Sequence, residues 1–91
     1  MEAKSYSMDI KRGRVVISKA GRDKNKWLVC IAADDKYAFV ADGKERPLEK
    51  PKKKNLNHIK IVSTVLPEET IQTNKSIKRA LFNIQKGENP E

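Results

Sequence analysis

A short polar stretch, residues 19–26, carries the side chains of this chain that are best suited to binding a ligand. Its basic residues are Lys19, Arg22, Lys24 and Lys26. Lysine and arginine neutralise phosphate groups, and the planar guanidinium of arginine also clamps a phosphate with two hydrogen bonds or stacks on a base. Gly21 lies among them, and because it has no side chain the backbone can approach a bound molecule closely. These residue types predict a phosphate-binding loop.

A second basic segment, residues 44–60, repeats this chemistry. It holds seven basic residues against two acidic ones, while residues 11–26 hold seven against one. Pro47 and Pro51 favour an extended backbone and neighbouring lysines repel one another, so we expect residues 50–55 to lack order until a polyanion neutralises them. The candidate contact residues are Lys44, Arg46, Lys50, Lys52, Lys53, Lys54 and Lys60. If the fold joins the two blocks, they form one cationic face; a solvated basic surface that aids solubility is the plainer interpretation.

Two single residues beside these blocks have two interpretations each. His58 can contact a phosphate or a ribose, or it can be ordinary polar surface. Trp27 can stack on an exposed base, or it can pack at the rim of the core, because aromatic side chains serve both uses. The sequence alone leaves both questions open.

Catalytic and metal sites lack their usual residues in this sequence. His58 is the only histidine and Cys30 the only cysteine, so zinc or iron ligand sets and histidine-based triads have too few members. Cys30 lies inside an apolar run, which indicates a buried side chain rather than a reactive thiol. No glycine-rich phosphate cradle of the nucleotide hydrolases occurs. We therefore predict a protein that is not an enzyme and uses no cofactor and no metal.

Composition restricts the class of protein further. Ninety-one residues make one small domain, and 37% hydrophobic against 35% charged residues allow a compact core with little excess. A net charge of +8 favours polyanionic partners. The longest apolar run, residues 27–33, is far shorter than the roughly 20 residues of a membrane span, and the N-terminal residues lack the apolar stretch of a secretory signal. A single cysteine fits a reducing compartment, so we expect a cytoplasmic protein, monomeric when free and without a membrane partner.

Short strands at a spacing of about ten residues must position these side chains. Residue types predict strands over 14–18, 27–33, 37–41 and 58–62, with a short edge strand over 46–48. Asp42-Gly43 predicts a tight hairpin turn. Seven consecutive apolar residues in the second strand indicate burial on both faces or strong curvature. The pattern favours an all-β fold, a small closed or half-closed barrel of about five strands.

After Pro67 the apolar spacing becomes that of a helix. The predicted apolar stripe consists of Ile77, Ala80, Leu81, Phe82 and Ile84. Thr73 or Asn74 caps the helix and Gly87 ends it. We expect this helix to pack across an open end of the barrel. The resulting organisation is a flexible extension over 1–10, a barrel over 11–65, and a C-terminal helix and tail over 66–91.

Residues 13–43 resemble the KOW motif of RNA-binding proteins, and more closely the eukaryotic and archaeal-type large-subunit ribosomal proteins of the fourteen-e and twenty-seven-e groups. The shared features are a strand, the basic loop sequence AGRDK at 20–24, a hydrophobic strand, an acidic turn, a strand and Asp42-Gly43. The resemblance continues loosely through residues 57–62 and covers about half the chain. It implies an SH3-like barrel whose loops at one end bind ribosomal RNA. Asn25 stands where the family usually has glycine, and asparagine tolerates the same left-handed backbone.

From the charge and the resemblance we expect an RNA-binding protein, either a ribosomal protein or a ribosome-associated one. The absence of long basic extensions favours an associated factor. One alternative is a transcription-associated KOW module, in which the helix face at Ile77, Leu81 and Phe82 carries the affinity. Another is a protein–protein adaptor barrel, which needs a groove of exposed aromatic side chains.

Overall fold

A computed structural model describes residues 10–88 and contains a five-stranded antiparallel sheet with one C-terminal α-helix. The strands are β1 (Arg14–Ser18), β2 (Trp27–Ala33), β3 (Tyr37–Ala41), β4 (Lys52–Asn55) and β5 (Ile59–Val65), and the helix is α1 (Asn74–Glu88). Short 3-10 turns lie at Gly21–Asp23, Leu56–His58 and Glu68–Ile71. The strand order across the sheet is β4-β3-β2-β1-β5. The first three strands coincide with the predicted ones, and the last extends beyond residue 62.

The sheet is barrel-like because its two edge strands follow one another in the chain. Strands β4 and β5 lie at opposite edges, yet only the turn Leu56–His58 separates them. The two edges must therefore approach each other at that end, which requires strong curvature. Register shifts between Arg14 and Val16 in β1, and between Cys30 and Ala32 in β2, add local bends.

Two apolar clusters occupy the two faces of this curved sheet. The helix-side cluster consists of Val15, Val29, Val62, Leu66, Ile71, Ile77 and Leu81. The opposite cluster consists of Val16, Leu28, Cys30, Ala38, Val40 and Ile59. Because successive side chains of a strand point to opposite faces, the apolar run of β2 contributes to both clusters, as its sequence predicted. Ile10, predicted as part of a flexible extension, packs against the opposite cluster, while residues 1–9 of that extension lie outside the described residues.

Helix α1 is capped by Thr73, one of the two predicted candidates. The Thr73 hydroxyl oxygen accepts a hydrogen bond from the backbone N–H of Ser76 at 3.1 Å. Asn74 has a different role, because its side-chain oxygen accepts from the backbone N–H of Leu48 at 2.6 Å and its amide donates to the Glu49 carboxylate. These contacts attach the β3–β4 connection to the start of the helix.

The buried stripe of the helix is narrower than its sequence predicted. It consists of Ile77, Ala80, Leu81 and Ile84, which belong to or pack against the helix-side cluster. The prediction that Phe82 widens this stripe is wrong, since its side chain is 64% exposed. Gly87 does not end the helix, which continues to Glu88. Within residues 10–88, no helix combines the length and the apolar character needed to cross a bilayer.

The connection after β3 is a turn but not the predicted tight hairpin. The Asp42 carboxylate accepts a hydrogen bond from the backbone N–H of Arg46 at 2.9 Å, and Gly43 has a φ of +79°. A Cβ atom at Gly43 would lie 2.3 Å from the carbonyl oxygen of Asn74, so the turn packs tightly on the helix start. The predicted edge strand over 46–48 does not form, because the backbone of Arg46 bonds within its own turn to Asp42 and the N–H of Leu48 donates to the Asn74 side chain.

The lysine run forms strand β4, whereas its sequence predicted an unordered segment. Residues 52–55 pair with β3 in a regular antiparallel register. Alternation along the strand separates neighbouring ammonium groups. The Lys53 Nζ atom lies 4.3 Å from the centre of the Tyr37 ring, and the Lys54 Nζ atom donates to the Ala20 carbonyl oxygen at 2.9 Å. Pairing and these contacts together offset the repulsion between the lysines.

Candidate nucleic-acid interface

A cleft of about 230 Å³, called the basic cleft here, brings the two basic segments together. Its lining residues are Gly21, Arg22, Asp23, Arg46, Lys52, Lys53, Lys54, Asn55 and His58. Five of these side chains are lysine or arginine, and only one is a carboxylate. A concave surface lined by charges of one sign concentrates the electrostatic field and attracts ions of the opposite sign.

The loop that forms one wall of the cleft has a defined backbone. Gly21 and Asn25 have φ values of +79° and +72°, so Asn25 adopts the left-handed conformation that its sequence position predicted. The backbone N–H of Asn25 donates to the Ser18 carbonyl oxygen at 2.7 Å, and that of Ser18 donates to the Lys26 carbonyl oxygen at 3.0 Å. These hydrogen bonds close the loop between β1 and β2. The loop therefore holds Arg22 in a fixed place at the cleft.

Lys54 joins this loop to strand β4 inside the cleft. Its side chain is mostly buried, with 8% of the residue exposed, and its ammonium bonds to the Ala20 carbonyl oxygen immediately before Gly21. An ammonium group has three N–H donors, so this single hydrogen bond leaves capacity for an acceptor in the cleft. Lys54 thus combines a positioning role with a charge that a bound phosphate can reach.

Asp23 and Arg46 form an ion pair at the side of the cleft. The Arg46 Nη2 and Asp23 Oδ2 atoms are 3.4 Å apart, and the Asp23 side chain is only 5% exposed. The Nε atom of Arg46 is buried and has no hydrogen-bond partner among residues 10–88. A buried donor without a partner costs free energy, and the ion pair with Asp23 offsets part of that cost. Because Asp23 compensates Arg46, the exposed side chains of Arg22 and Lys52 supply uncompensated charge to an incoming ligand.

The remaining predicted contact residues lie outside the cleft. Lys19, Lys24 and Lys50 are exposed, and Lys60 lines a separate groove beside Trp27. Lys26, Trp27 and Lys44 line a third concavity against the helix. Lys26 also forms an ion pair with Glu45, and this hydrogen bond raises the pKa of Lys26 and lowers the pKa of Glu45. The predicted single cationic face is therefore divided among several surfaces, of which the basic cleft unites the most residues.

Two cleft residues were not predicted from the sequence. Asp23 is an acidic residue in a basic loop, and its burial beside Arg46 shows why a carboxylate is needed there. Asn55 accepts a hydrogen bond from the backbone N–H of Asn57 at 2.8 Å and so starts the turn between β4 and β5. For Asp23 the sequence held a usable signal, because it is the one acidic residue among the seven basic ones of residues 11–26. For Asn55 it held none, because its place in the cleft depends on the position of β4.

Cys30 is buried, as its apolar surroundings predicted. It is fully shielded from solvent, and burial raises the pKa of its thiol to about 11. Its Sγ atom donates to the Ala32 carbonyl oxygen at 3.3 Å. Among residues 10–88, no three His, Cys, Asp or Glu side chains are grouped so that they could hold a metal ion.

Comparisons with known proteins were made with the whole chain. No protein-family model matches it, and no curated protein matches it significantly. The resemblance of residues 13–43 to the KOW motif remains a prediction from the residues themselves. A functional assignment therefore rests on that prediction and on the geometry of the basic cleft.

Proposed function

We propose that this protein binds RNA through the basic cleft, as a ribosomal or ribosome-associated protein that contacts ribosomal RNA. The observation that carries the proposal is the convergence of two distant basic segments on one cleft. Residues 21–23 and residues 52–55 are about thirty positions apart in the chain, yet they line the same concavity. Five lysine and arginine side chains around a single carboxylate suit the phosphates of a polyanion.

Binding in this proposal is electrostatic and insensitive to base sequence. Arg22 and Lys52 are exposed and meet phosphates first, releasing the counterions that surround them. Lys54 then offers the remaining N–H donors of its ammonium group inside the cleft. Gly21 has no side chain and is exposed, so phosphate oxygens can approach the backbone there.

The ribosomal part of the proposal, and the SH3-like KOW type of the barrel, depend on the resemblance. The succession of strand, basic loop, strand, acidic turn and strand over residues 14–41 supports it. The left-handed backbone of Asn25 also supports it, since the family usually has glycine at that position. The transcription-associated alternative relies on the helix face at Ile77, Leu81 and Phe82, of which Ile77 and Leu81 are buried in the helix-side cluster while Phe82 is exposed.

Sedimentation through a ribosome gradient tests the ribosomal assignment. A tagged copy of the full chain is expected to travel with ribosomal particles at low salt and to leave them as salt rises. Sequencing the RNA crosslinked to it should then return ribosomal RNA. A protein that stays at the top of the gradient at every salt concentration, with no ribosomal RNA crosslinked, would contradict the assignment.

Replacing Gly21 with valine is expected to destabilise the loop and to weaken RNA binding. A β-branched residue at φ +79° costs roughly 1–2 kcal/mol, and its side chain would enter the space beside the Lys54 ammonium. Gly21→Asn is the control, because asparagine tolerates this conformation, as Asn25 does in the same loop. Melting curves and RNA titrations should separate the two variants. If Gly21→Val folds and binds like the unmodified protein, the loop backbone is not part of the interface.

A further inference from the structure

The third concavity, called the aromatic groove here, lies between the end of the basic loop and helix α1. Its volume is about 370 Å³. Two aromatic side chains, Trp27 and Phe82, line it together with the lysines Lys26, Lys44 and Lys78. Packing of the core accounts in part for Trp27, but not for the exposed Phe82 ring or for the cations around it.

Phe82 is the less expected member of this groove. Its neighbour Leu81 is 4% exposed and belongs to the helix-side cluster, whereas Phe82 is 64% exposed. The Lys86 Nζ atom lies 5.9 Å from the centre of the Phe82 ring, so the ring has a cation beside it. Trp27 is half-buried and packs partly against the helix-side cluster, which holds that ring in place. The groove thus has one anchored ring and one ring available to a ligand.

The charges around the groove indicate a polyanionic occupant. The one carboxylate that lines it, Asp42, already accepts hydrogen bonds from two backbone N–H groups of its own turn. Glu45 pairs with Lys26 beside the groove, which leaves Lys44 and Lys78 as its exposed cations. A second copy of this chain, with its own net charge of +8, would be repelled. Aromatic rings on which bases stack, beside cations that neutralise phosphates, are the combination that binds single-stranded nucleic acid.

Two segments of the chain contribute neighbouring residues to the groove and to the basic cleft. Residues 21–23 line the cleft and residues 25–27 line the groove, and both belong to one loop. In the same way, Arg46 lines the cleft and Lys44 lines the groove from a single turn. The cleft and the groove are therefore neighbours along this loop and this turn, which places the groove beside any strand held in the cleft.

We propose that the aromatic groove stacks unpaired bases of the bound RNA on Trp27 and Phe82, while Lys44 and Lys78 neutralise the neighbouring phosphates. This inference rests on the proposed function and adds the kind of RNA that the protein selects. The preferred ligand is RNA with unpaired nucleotides next to the part held by the cleft, rather than a continuous duplex.

The experiment compares two RNA probes of defined form, a twelve-nucleotide oligouridylate and a twelve-base-pair duplex. Phe82→Ala is expected to weaken binding of the oligouridylate about 5- to 150-fold, the range for loss of one base stack, and to change duplex binding less than about twofold. Phe82→Tyr keeps a ring and should bind like the unmodified protein. Asn83→Ala, at an exposed neighbouring position outside the groove, is the matched control. Trp27 is the only tryptophan, so its fluorescence should be quenched by oligouridylate.

The possible outcomes separate this inference from the proposed function. Unchanged oligouridylate binding by Phe82→Ala, or equal loss for both probes, overturns the stacking role and leaves the basic cleft standing. A protein that binds neither probe at low salt overturns both proposals. Quenching of Trp27 by a polyglutamate peptide, and not by oligouridylate, would show that the groove receives an acidic protein segment instead of RNA.

Discussion

Replacing Arg22 and Lys52 together with alanine is expected to weaken RNA binding about 25- to 60-fold at 0.1 M salt. Each neutralised phosphate contributes about five- to eightfold at that concentration through counterion release, and the two side chains come from the two separate segments that line the basic cleft. Both side chains are exposed, so the free energy of unfolding should change by less than about 0.5 kcal/mol. A filter-binding or fluorescence titration and a melting curve measure the two quantities.

A double variant at Lys11 and Lys36 is the matched control for this prediction. Both lysines are exposed and lie outside the cleft, so Lys11→Ala with Lys36→Ala removes the same charge from the chain. A smaller loss in the control than in the cleft variant shows that position matters beyond net charge. Equal losses would mean that the protein binds RNA through its overall charge, and the cleft would have no special role.

Leu81→Ala is expected to have the largest effect on stability, lowering the free energy of unfolding by about 2–5 kcal/mol. Leu81 is 4% exposed in the helix-side cluster, so the substitution loses its transfer free energy and leaves a cavity under the helix. Phe82→Ala is the matched control at the next position, where an exposed ring is removed and stability should change by less than about 0.5 kcal/mol.

RNA titrations of Leu81→Ala, performed well below its melting temperature, complete this comparison. Binding by the folded fraction should equal that of the unmodified protein, because Leu81 belongs to the core. If Leu81→Ala kept its stability and lost its association with ribosomes or with RNA polymerase, the helix would be a docking surface. The assignment of function to the basic cleft would then be wrong.

Local residue patterns were sufficient to predict three of the strands. The β-branched and aromatic runs of β1, β2 and β3 specify their bounds, because strand propensity and burial agree there. The prediction that the lysine run lacks order was wrong, because its strand propensity and its actual pairing disagree. Its β-propensity is low, and it becomes β4 only because β3 offers a pairing edge and Lys54 finds the Ala20 carbonyl oxygen. Such a gain comes from residues distant in the chain and is invisible in the local sequence.

The candidate site shows the same division between local and distant information. Charge and the glycine at 21 were enough to nominate the loop, and its backbone has the expected positive φ. Which cations converge depends on β4 lying beside that loop, so the sequence could not separate Lys52 in the cleft from Lys50 outside it. The burial of Leu81 and the exposure of Phe82 likewise follow from which side of the helix packs on the helix-side cluster.

The salt dependence of RNA binding tests the central claim most directly. Titrations of the unmodified protein between 0.05 and 0.5 M salt are expected to give a slope of log K against log salt of about −3 to −5, as for roughly four to six neutralised phosphates. The Arg22→Ala, Lys52→Ala variant should give a slope smaller in magnitude by about 1.5, because two of those contacts are lost. A slope near zero, or the same slope for both proteins, would contradict RNA binding by the basic cleft.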